Sequence, residues 1–152
     1  MMHTRRTVLA SLGALLAVPV WAAKPPATPM AVWKDPNCGC CKDWVKHLEQ
    51  AGFAVRVYDT GNEAKRAALG MPQALGSCHT GVVGGYAIEG HVPAKDIQRL
   101  LREKPKALGL SVPGMPIGSP GMDGAIYKGR KDPFDVLLVA ANGNSTVFQS
   151  YR

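Results

Sequence analysis

Residues 30–50 read MAVWKDPNCGCCKDWVKHLEQ, and this stretch decides the fold. Its first five residues, 30–34, form a short, mostly apolar run that predicts a β-strand. Asp, Pro and Asn at 35–37 end the strand and offer N-cap side chains to the segment that follows. Residues 41–50 predict a helix, because three apolar side chains fall on one helical face: Trp44, Val45 and Leu48. The stretch therefore predicts a strand, a tight turn that holds three cysteines, and a helix.

The rest of the chain continues to alternate between strands and helices. Gly52 ends the first helix, and residues 53–58 alternate in polarity as a half-buried strand does. The further predicted elements are a helix at 63–69 capped by Asn62, a hairpin at 80–89 around Gly84 and Gly85, a helix opened by Pro93, a Gly/Pro-rich loop at 109–124, and closing strands at 134–141 and 146–151. This order predicts an α/β fold, a thioredoxin-like sheet flanked by helices, with an extra C-terminal loop and β-hairpin.

The first residues predict export from the cytoplasm. Residues 1–6 form a basic head, residues 7–20 are apolar apart from one proline, and small residues at Val20 and Ala22 occupy the positions that a signal peptidase recognises. The apolar run is too short for a membrane span, although an uncleaved anchor helix is the alternative interpretation. The two arginines of the basic head also fit a twin-arginine export signal.

The domain organisation follows from this signal. We expect residues 1–22 to be a signal peptide, residues 23–29 a Pro-rich lead-in, and residues 30–152 one metal-binding domain. Cleavage would leave a periplasmic protein without a stable membrane anchor.

Composition argues against a nucleic-acid partner. The 152-residue chain carries a formal net charge of +7, but its basic residues are scattered and only 7% of its residues are aromatic. It therefore lacks both a basic stripe and a platform on which bases could stack. We interpret the positive charge as a source of solubility and of weak attraction to anionic surfaces.

Three of the four cysteines lie within four residues: Cys38, Cys40 and Cys41. A structural disulfide framework explains this spacing poorly, because adjacent cysteines do not bridge each other easily. At a helix N-terminus the backbone N–H groups and the helix dipole favour thiolates, and several thiolates together suit a soft cation such as Cu(I), or zinc. Cys38 and Cys41 also have the C-x-x-C spacing of a thiol–disulfide oxidoreductase, which is the alternative function; the third cysteine, Cys40, argues against it.

Four further residues are candidates for the same site. Cys78 begins the third predicted strand, whose start lies beside the first helix in a thioredoxin-like sheet, so it would complete a four-sulfur site or form a disulfide. His91 lies between a strand and a helix and is a candidate ligand or a residue that supports one. Met115 and Met122 lie on the Gly/Pro-rich loop, where they either cover a soft-metal site or fill gaps. Because thioethers bind Cu(I) but hardly bind zinc, the loop disfavours a purely structural zinc module.

Five blocks of the chain resemble a known family. The blocks are DPNCGCC at 35–41, SCHT at 77–80, GGY at 84–86, EGHVP at 89–93 and VPGMPIGSPGM at 112–122. They are similar to the signature blocks of the CopG-type family, periplasmic metal-binding proteins with a thioredoxin-like fold that are associated with copper resistance. The similarity extends over nearly the whole chain after residue 22.

The resemblance implies a copper site at four residues: Cys38, Cys40, Cys41 and Cys78. It implies copper as Cu(I), with room for more than one ion, and a role in copper tolerance with a possible redox step. Copper ions and other periplasmic copper-handling proteins are the expected partners. The resemblance leaves open whether the protein stores copper, passes it on or changes its oxidation state.

Export is directly testable. The mature protein should begin at Ala23 or Lys24, and the intact mass of the protein in a periplasmic extract measures this. A membrane-bound protein that still begins at Met1 would contradict cleavage. Replacing Arg5 and Arg6 with lysine should reduce export by the twin-arginine route, and unchanged export would exclude that route alone.

Overall fold

A computed structural model describes residues 26–152, so the predicted signal peptide at 1–22 lies outside the described residues. The strands of this part are β1 (Thr28–Lys34), β2 (Phe53–Tyr58), β3 (His79–Val83), β4 (Tyr86–Glu89), β5 (Gly109–Ser111), β6 (Phe134–Val139) and β7 (Ser145–Tyr151). The helices are α1 (Gly39–Gln50), α2 (Glu63–Ala68) and α3 (Ala94–Glu103), and short 3₁₀ turns occupy Gln73–Leu75 and Ala125–Tyr127. Within residues 26–152, no helix is long and apolar enough to cross a membrane.

All seven strands form one mixed sheet in the order β2-β1-β3-β4-β5-β6-β7. Strand β1 is parallel to β2 and antiparallel to β3, and β4 is antiparallel to β3 and parallel to β5. Strands β6 and β7 continue the sheet as an antiparallel hairpin. The predicted α/β class is therefore confirmed. The thioredoxin-like arrangement stays a prediction, with which the order β2-β1-β3-β4 is consistent.

Apolar side chains cover both faces of the sheet. Ile88 of β4 belongs to the larger core, while its neighbour Ala87 belongs to a smaller cluster, because successive strand residues point to opposite faces. Helices α1 and α3 pack over the larger core, where the indole N–H of Trp44 donates to the carbonyl of Val92 at 2.9 Å. The segment after α2 covers the other face through Met71. The site therefore lies on a sheet that is supported from both sides.

The structure corrects several predicted boundaries. Strand β1 begins at Thr28 and pairs with β2 from there, so the lead-in predicted for 23–29 ends earlier than expected. The predicted loop at 109–124 begins with strand β5, which pairs with β4 and β6. Asn62 occupies the N-cap position of α2 but makes no side-chain cap bond, because its amide binds elsewhere.

The C-terminal hairpin, whose placement the sequence did not predict, is fastened to α3. The hydroxyl of Tyr151 donates to the buried carboxylate of Asp96, and the Tyr151 ring stacks on Phe134 with centroids 4.6 Å apart. The hydrogen bond ties the last strand to a helix of the larger core, and the stacked rings join the two strands of the hairpin. The hairpin is therefore an integral part of the sheet rather than an appendage.

Gly109 is predicted to be indispensable to the sheet. A Cβ at this position would lie 1.7 Å from the carbonyl oxygen of Ala87 in the neighbouring strand. Gly109→Ala should therefore lower the free energy of unfolding by about 3 kcal/mol, as overpacking does. Gly124→Ala is the matched control, because a Cβ there meets nothing within 4 Å. Urea unfolding measures the free energy of unfolding of the two variants. Equally small decreases in both would contradict the pairing of β4 with β5.

Candidate metal centre

Helix α1 begins at the cysteine-rich turn. Cys38 is its N-cap residue, and the Cys38 sulfur accepts a hydrogen bond from the backbone N–H of Cys41 at 3.3 Å. We expected side chains at 35–37 to cap this helix, and that expectation is wrong: Asp35 accepts a hydrogen bond from the N–H of Asn37 inside the turn. A sulfur at the N-cap faces the positive end of the helix dipole, which would favour a thiolate when the cysteine is reduced.

The ends of three strands bring the candidate residues together. Strand β1 ends at Lys34, which pairs with His79 at the start of β3, and Thr80 pairs with Glu89 at the end of β4. Because these pairs are antiparallel, the turn after β1, the segment before β3 and the segment after β4 meet at one edge of the sheet, the edge that is formed by the ends of these strands. That edge carries all four cysteines and His91.

Four sulfurs from two distant segments meet at this edge, and we call them the four-cysteine cluster: Cys38, Cys40, Cys41 and Cys78. Cys38 and Cys41 are joined by a disulfide bond. The Cys40 sulfur lies 3.5 Å from that of Cys38, and the Cys78 sulfur lies 3.4 Å from that of Cys41. All four sulfurs lie within 4.8 Å of one another. The structure thus brings the four predicted cysteines together, while their binding of a metal stays a prediction.

Two buried histidines extend the cluster on the side of Cys78. Nδ1 of His79 lies 3.3 Å from the Cys78 sulfur, and Nε2 of His91 lies 3.2 Å from it. The other ring nitrogens face the carbonyl oxygens of Gly90 and Pro120, each at 2.9 Å. A carbonyl only accepts, so those nitrogens carry the hydrogens when the rings are neutral, and the lone pairs of both imidazoles point at Cys78.

Burial keeps these groups uncharged. It raises the pKa of Cys78 to about 12, and the neighbouring Cys40 adds to the shift. It lowers the pKa of His79 well below its ordinary value, with a further contribution from His91. Burial also lowers the pKa of His91, although the bond to the carbonyl of Pro120 opposes the shift. Near neutral pH the thiol is therefore protonated and both imidazoles are neutral, as metal-binding histidines must be.

The Gly/Pro-rich loop lies against the cluster through its backbone. A Cβ at Gly121 would lie 2.5 Å from the carbonyl oxygen of Cys40, so only glycine lets the loop approach α1 this closely. Met115 is 51% exposed, whereas Met122 is buried and its sulfur accepts a hydrogen bond from the hydroxyl of Tyr127 at 3.4 Å. The loop therefore packs against the start of α1 beside the cluster, and both covering of the site and ligation by either methionine stay predictions.

His79 is the residue that sequence reasoning missed. His91 was a candidate ligand, but His79 was not, although its ring contacts Cys78 and packs 4.1 Å from the ring of Trp44. The available signal was the hairpin itself, because the start of β3 and the end of β4 must lie side by side. That pairing places a residue at the start of β3 close to one that follows β4.

The donor set fits a soft metal ion. Cysteine sulfur and imidazole nitrogen are ligands for Cu(I), Cu(II) and zinc, whereas calcium and magnesium require oxygen ligands. The candidate ligands form two groups that share Cys78: the four-cysteine cluster, and the trio of Cys78, His79 and His91. With Cys38 and Cys41 bridged, only the second group keeps all its donors.

Comparison with known proteins finds one family model and two solved structures that are similar to the chain. A family described as a protein of unknown function, DUF411, matches residues 75–122. No curated protein matches the sequence. Two solved structures are similar to the chain, and they are named copper resistance protein copG, form 1 and form 2. Each is 45% identical with a TM-score of 0.76, and the matches cover 82% and 83% of this chain and 98% and 99% of the solved chains.

The disulfide can be mapped in the metal-free, air-oxidised protein. Alkylation followed by trypsin should give peptide 35–42 with an internal bridge and one alkyl group, and peptide 67–95 with one alkyl group on Cys78. Mass spectrometry distinguishes this from the alternative bridge, because a bond between Cys41 and Cys78 would join the two peptides. Joined peptides as the main product would contradict the pairing of Cys38 with Cys41.

Proposed function

The chain belongs to the family of the copper resistance protein CopG, and on this basis we propose that it binds Cu(I) in the periplasm and contributes to copper tolerance. The observation that supports copper binding best is the convergence of four cysteine sulfurs from two segments 37 residues apart, all within 4.8 Å of one another. Thiolates are the protein ligands that favour Cu(I) most. The periplasmic location is supported by the features of a signal peptide in the first 22 residues of the sequence.

Copper is the cargo in this proposal, and the reduced protein is the form that takes it up. Cleavage of the Cys38–Cys41 bond by an external dithiol would supply two further thiols and complete the set of four. Each thiol loses a proton on binding, so uptake of copper releases protons. Because a thiolate can bridge two ions, four of them can hold more than one Cu(I).

The histidines have two roles in this proposal. Hydrogen bonds to the carbonyls of Gly90 and Pro120 fix their tautomers and ring orientations, as is common for metal-binding histidines. Their lone pairs are available to a copper ion beside Cys78 or to the proton that Cys78 releases. His79 and His91 are therefore candidate ligands on one side of the centre.

The disulfide favours a second candidate function, in which the protein also exchanges electrons. Oxidation of Cys38 and Cys41 from dithiol to disulfide releases two electrons and two protons. Two Cu(II) ions can each take one of these electrons and become Cu(I), so the exchange balances without a further reactant.

A thiol–disulfide oxidoreductase that acts on other proteins is the remaining alternative. Reduction of insulin by the metal-free protein would support that alternative.

Copper binding should depend on all four cysteines. Under reducing, anaerobic conditions, titration against a competing Cu(I) chelator should show that Cys78→Ser weakens binding or lowers stoichiometry as much as Cys41→Ser does. Met115→Leu and Met122→Leu should have milder effects, because thioethers are weaker, neutral ligands and leucine keeps their volume. Affinity should fall as pH falls, since protons compete for the thiolates.

Two outcomes of this titration would contradict the assignment. If zinc displaces Cu(I) from the wild-type protein, the site is not a copper site. If a folded Cys78→Ser protein binds copper normally, the metal is held by the local cysteine motif alone. Circular dichroism of each variant provides the control for folding.

A further inference from the structure

Ser77 precedes Cys78 in a segment without regular secondary structure, between a 3₁₀ turn and strand β3. Its N–H donates to Oε1 of Glu89 at 2.7 Å. Its carbonyl accepts hydrogen bonds from Nδ2 of Asn62 at 3.1 Å and from Nη1 of Arg66 at 3.0 Å. Side chains, rather than a neighbouring strand, therefore fix the peptide groups on both sides of Ser77.

The side chains that do so form one buried network, which we call the Ser77 clamp: Asn62, Arg66, Thr80 and Glu89. Arg66 and Glu89 form an ion pair of 3.0 Å, with side chains that are 5% and 0% exposed. The hydroxyl of Thr80 donates to the second oxygen of Glu89 at 2.6 Å. Both oxygens of the carboxylate are therefore occupied, and the guanidinium is shared between the carboxylate and the Ser77 carbonyl.

Stability alone does not account for this arrangement. A buried ion pair is often no more stabilising than apolar residues of similar volume. Asn62 stands at the N-cap of α2, where an asparagine normally contributes about 1 kcal/mol by capping, yet it makes no cap bond and donates to Ser77 instead. A buried ion pair and an asparagine that forgoes helix capping thus both bind the backbone of Ser77, directly before Cys78.

We propose that the Ser77 clamp is a positioning device for Cys78, with Glu89 as its central residue. It holds the Cys78 sulfur within 3.4 Å of Cys41 and in contact with both histidines. For copper binding, this inference rests on the proposed function. Glu89 and Arg66 are positioning residues that act through the backbone of Ser77, not ligands.

Ser77, the residue that the clamp holds, also contacts the Gly/Pro-rich loop. The hydroxyl of Ser77 donates to the carbonyl of Gly114, and the N–H of Gly114 donates to the carbonyl of Gly76 at 3.2 Å. The segment that carries Cys78 and the loop that carries Met115 are therefore fastened to each other. A displacement of Ser77 would move both sides of the site.

A double-mutant cycle that measures Cu(I) affinity tests the clamp. Glu89→Gln keeps the shape of the side chain but leaves the Arg66 guanidinium without its counter-charge. We expect it to weaken Cu(I) binding by about tenfold to a hundredfold, as loss of a residue that supports a ligand does. In a Cys78→Ser protein the same change should cost less than about twofold, because no sulfur is left to position. Equal losses in both backgrounds would overturn the proposal.

A second measurement needs no copper. In a protein with Cys38→Ser and Cys40→Ser, only Cys41 and Cys78 remain to form a disulfide when diamide is added. Glu89→Gln should slow this bridge about tenfold, and Asn62→Ala, the milder variant if Glu89→Gln does not fold, should slow it less. Tyr151→Phe is the matched control: it also removes a hydrogen bond to a buried carboxylate, that of Asp96, and should leave the rate unchanged.

The two measurements separate the possible failures. If the wild-type protein does not bind Cu(I), the proposed function fails, while the rate of the bridge still decides the clamp. Unchanged rates in Glu89→Gln and Asn62→Ala would overturn the clamp whatever copper does. Equal slowing in Tyr151→Phe would also overturn it, because the effect would then be general loosening of the fold.

Discussion

The pairing of β1 with β3 is the constraint on which the centre depends. Lys34, the last residue of β1, lies opposite His79, the first residue of β3. This register brings Cys41 and Cys78 from positions 37 residues apart to a sulfur–sulfur distance of 3.4 Å. A shift of two residues would preserve the buried face but move one segment by about 7 Å along the other, and a shift of one would turn every β3 side chain to the opposite face. Either shift would separate the two halves of the four-cysteine cluster.

Burial gives the centre its chemical character once the register has assembled it. A low-polarity environment penalises charge, which is why the pKa of Cys78 is raised and those of His79 and His91 are lowered. Without a cation, the side of the site around Cys78 therefore holds a neutral thiol and two neutral imidazoles, whose lone pairs point at the thiol. A bound cation would reverse this balance, because it would stabilise the Cys78 thiolate and accept the lone pairs of the imidazoles. The carbonyls of Gly90 and Pro120 fix the imidazoles in advance.

Local patterns in the sequence predicted much of this protein, and contacts between distant segments account for the rest. The α/β order and the cysteine-rich turn follow from periodicity and from helix and turn signals, which act over a few residues. Strand β5 has three residues and takes its conformation from its neighbours in the sheet, so no local pattern marked it. Asn62 looked like a helix cap, but it binds Ser77, which only the folded chain brings close. The roles of His79 and Glu89 likewise depend on the pairing of β3 with β4.

The disulfide and the proposed copper site compete for the same sulfurs. A bridge between Cys38 and Cys41 removes two thiolates from the four-cysteine cluster, while the trio of Cys78, His79 and His91 keeps all its donors. Thiolates favour Cu(I), whereas imidazole also suits Cu(II), so the oxidation state of the protein would select between a sulfur-rich and a nitrogen-rich set of ligands. Cys78 belongs to both sets. A residue in both sets must stay in place whether or not its neighbours are bridged. The bond that the Ser77 N–H donates to Glu89 and the bond that Arg66 donates to the Ser77 carbonyl are suited to this, because they involve none of the sulfurs.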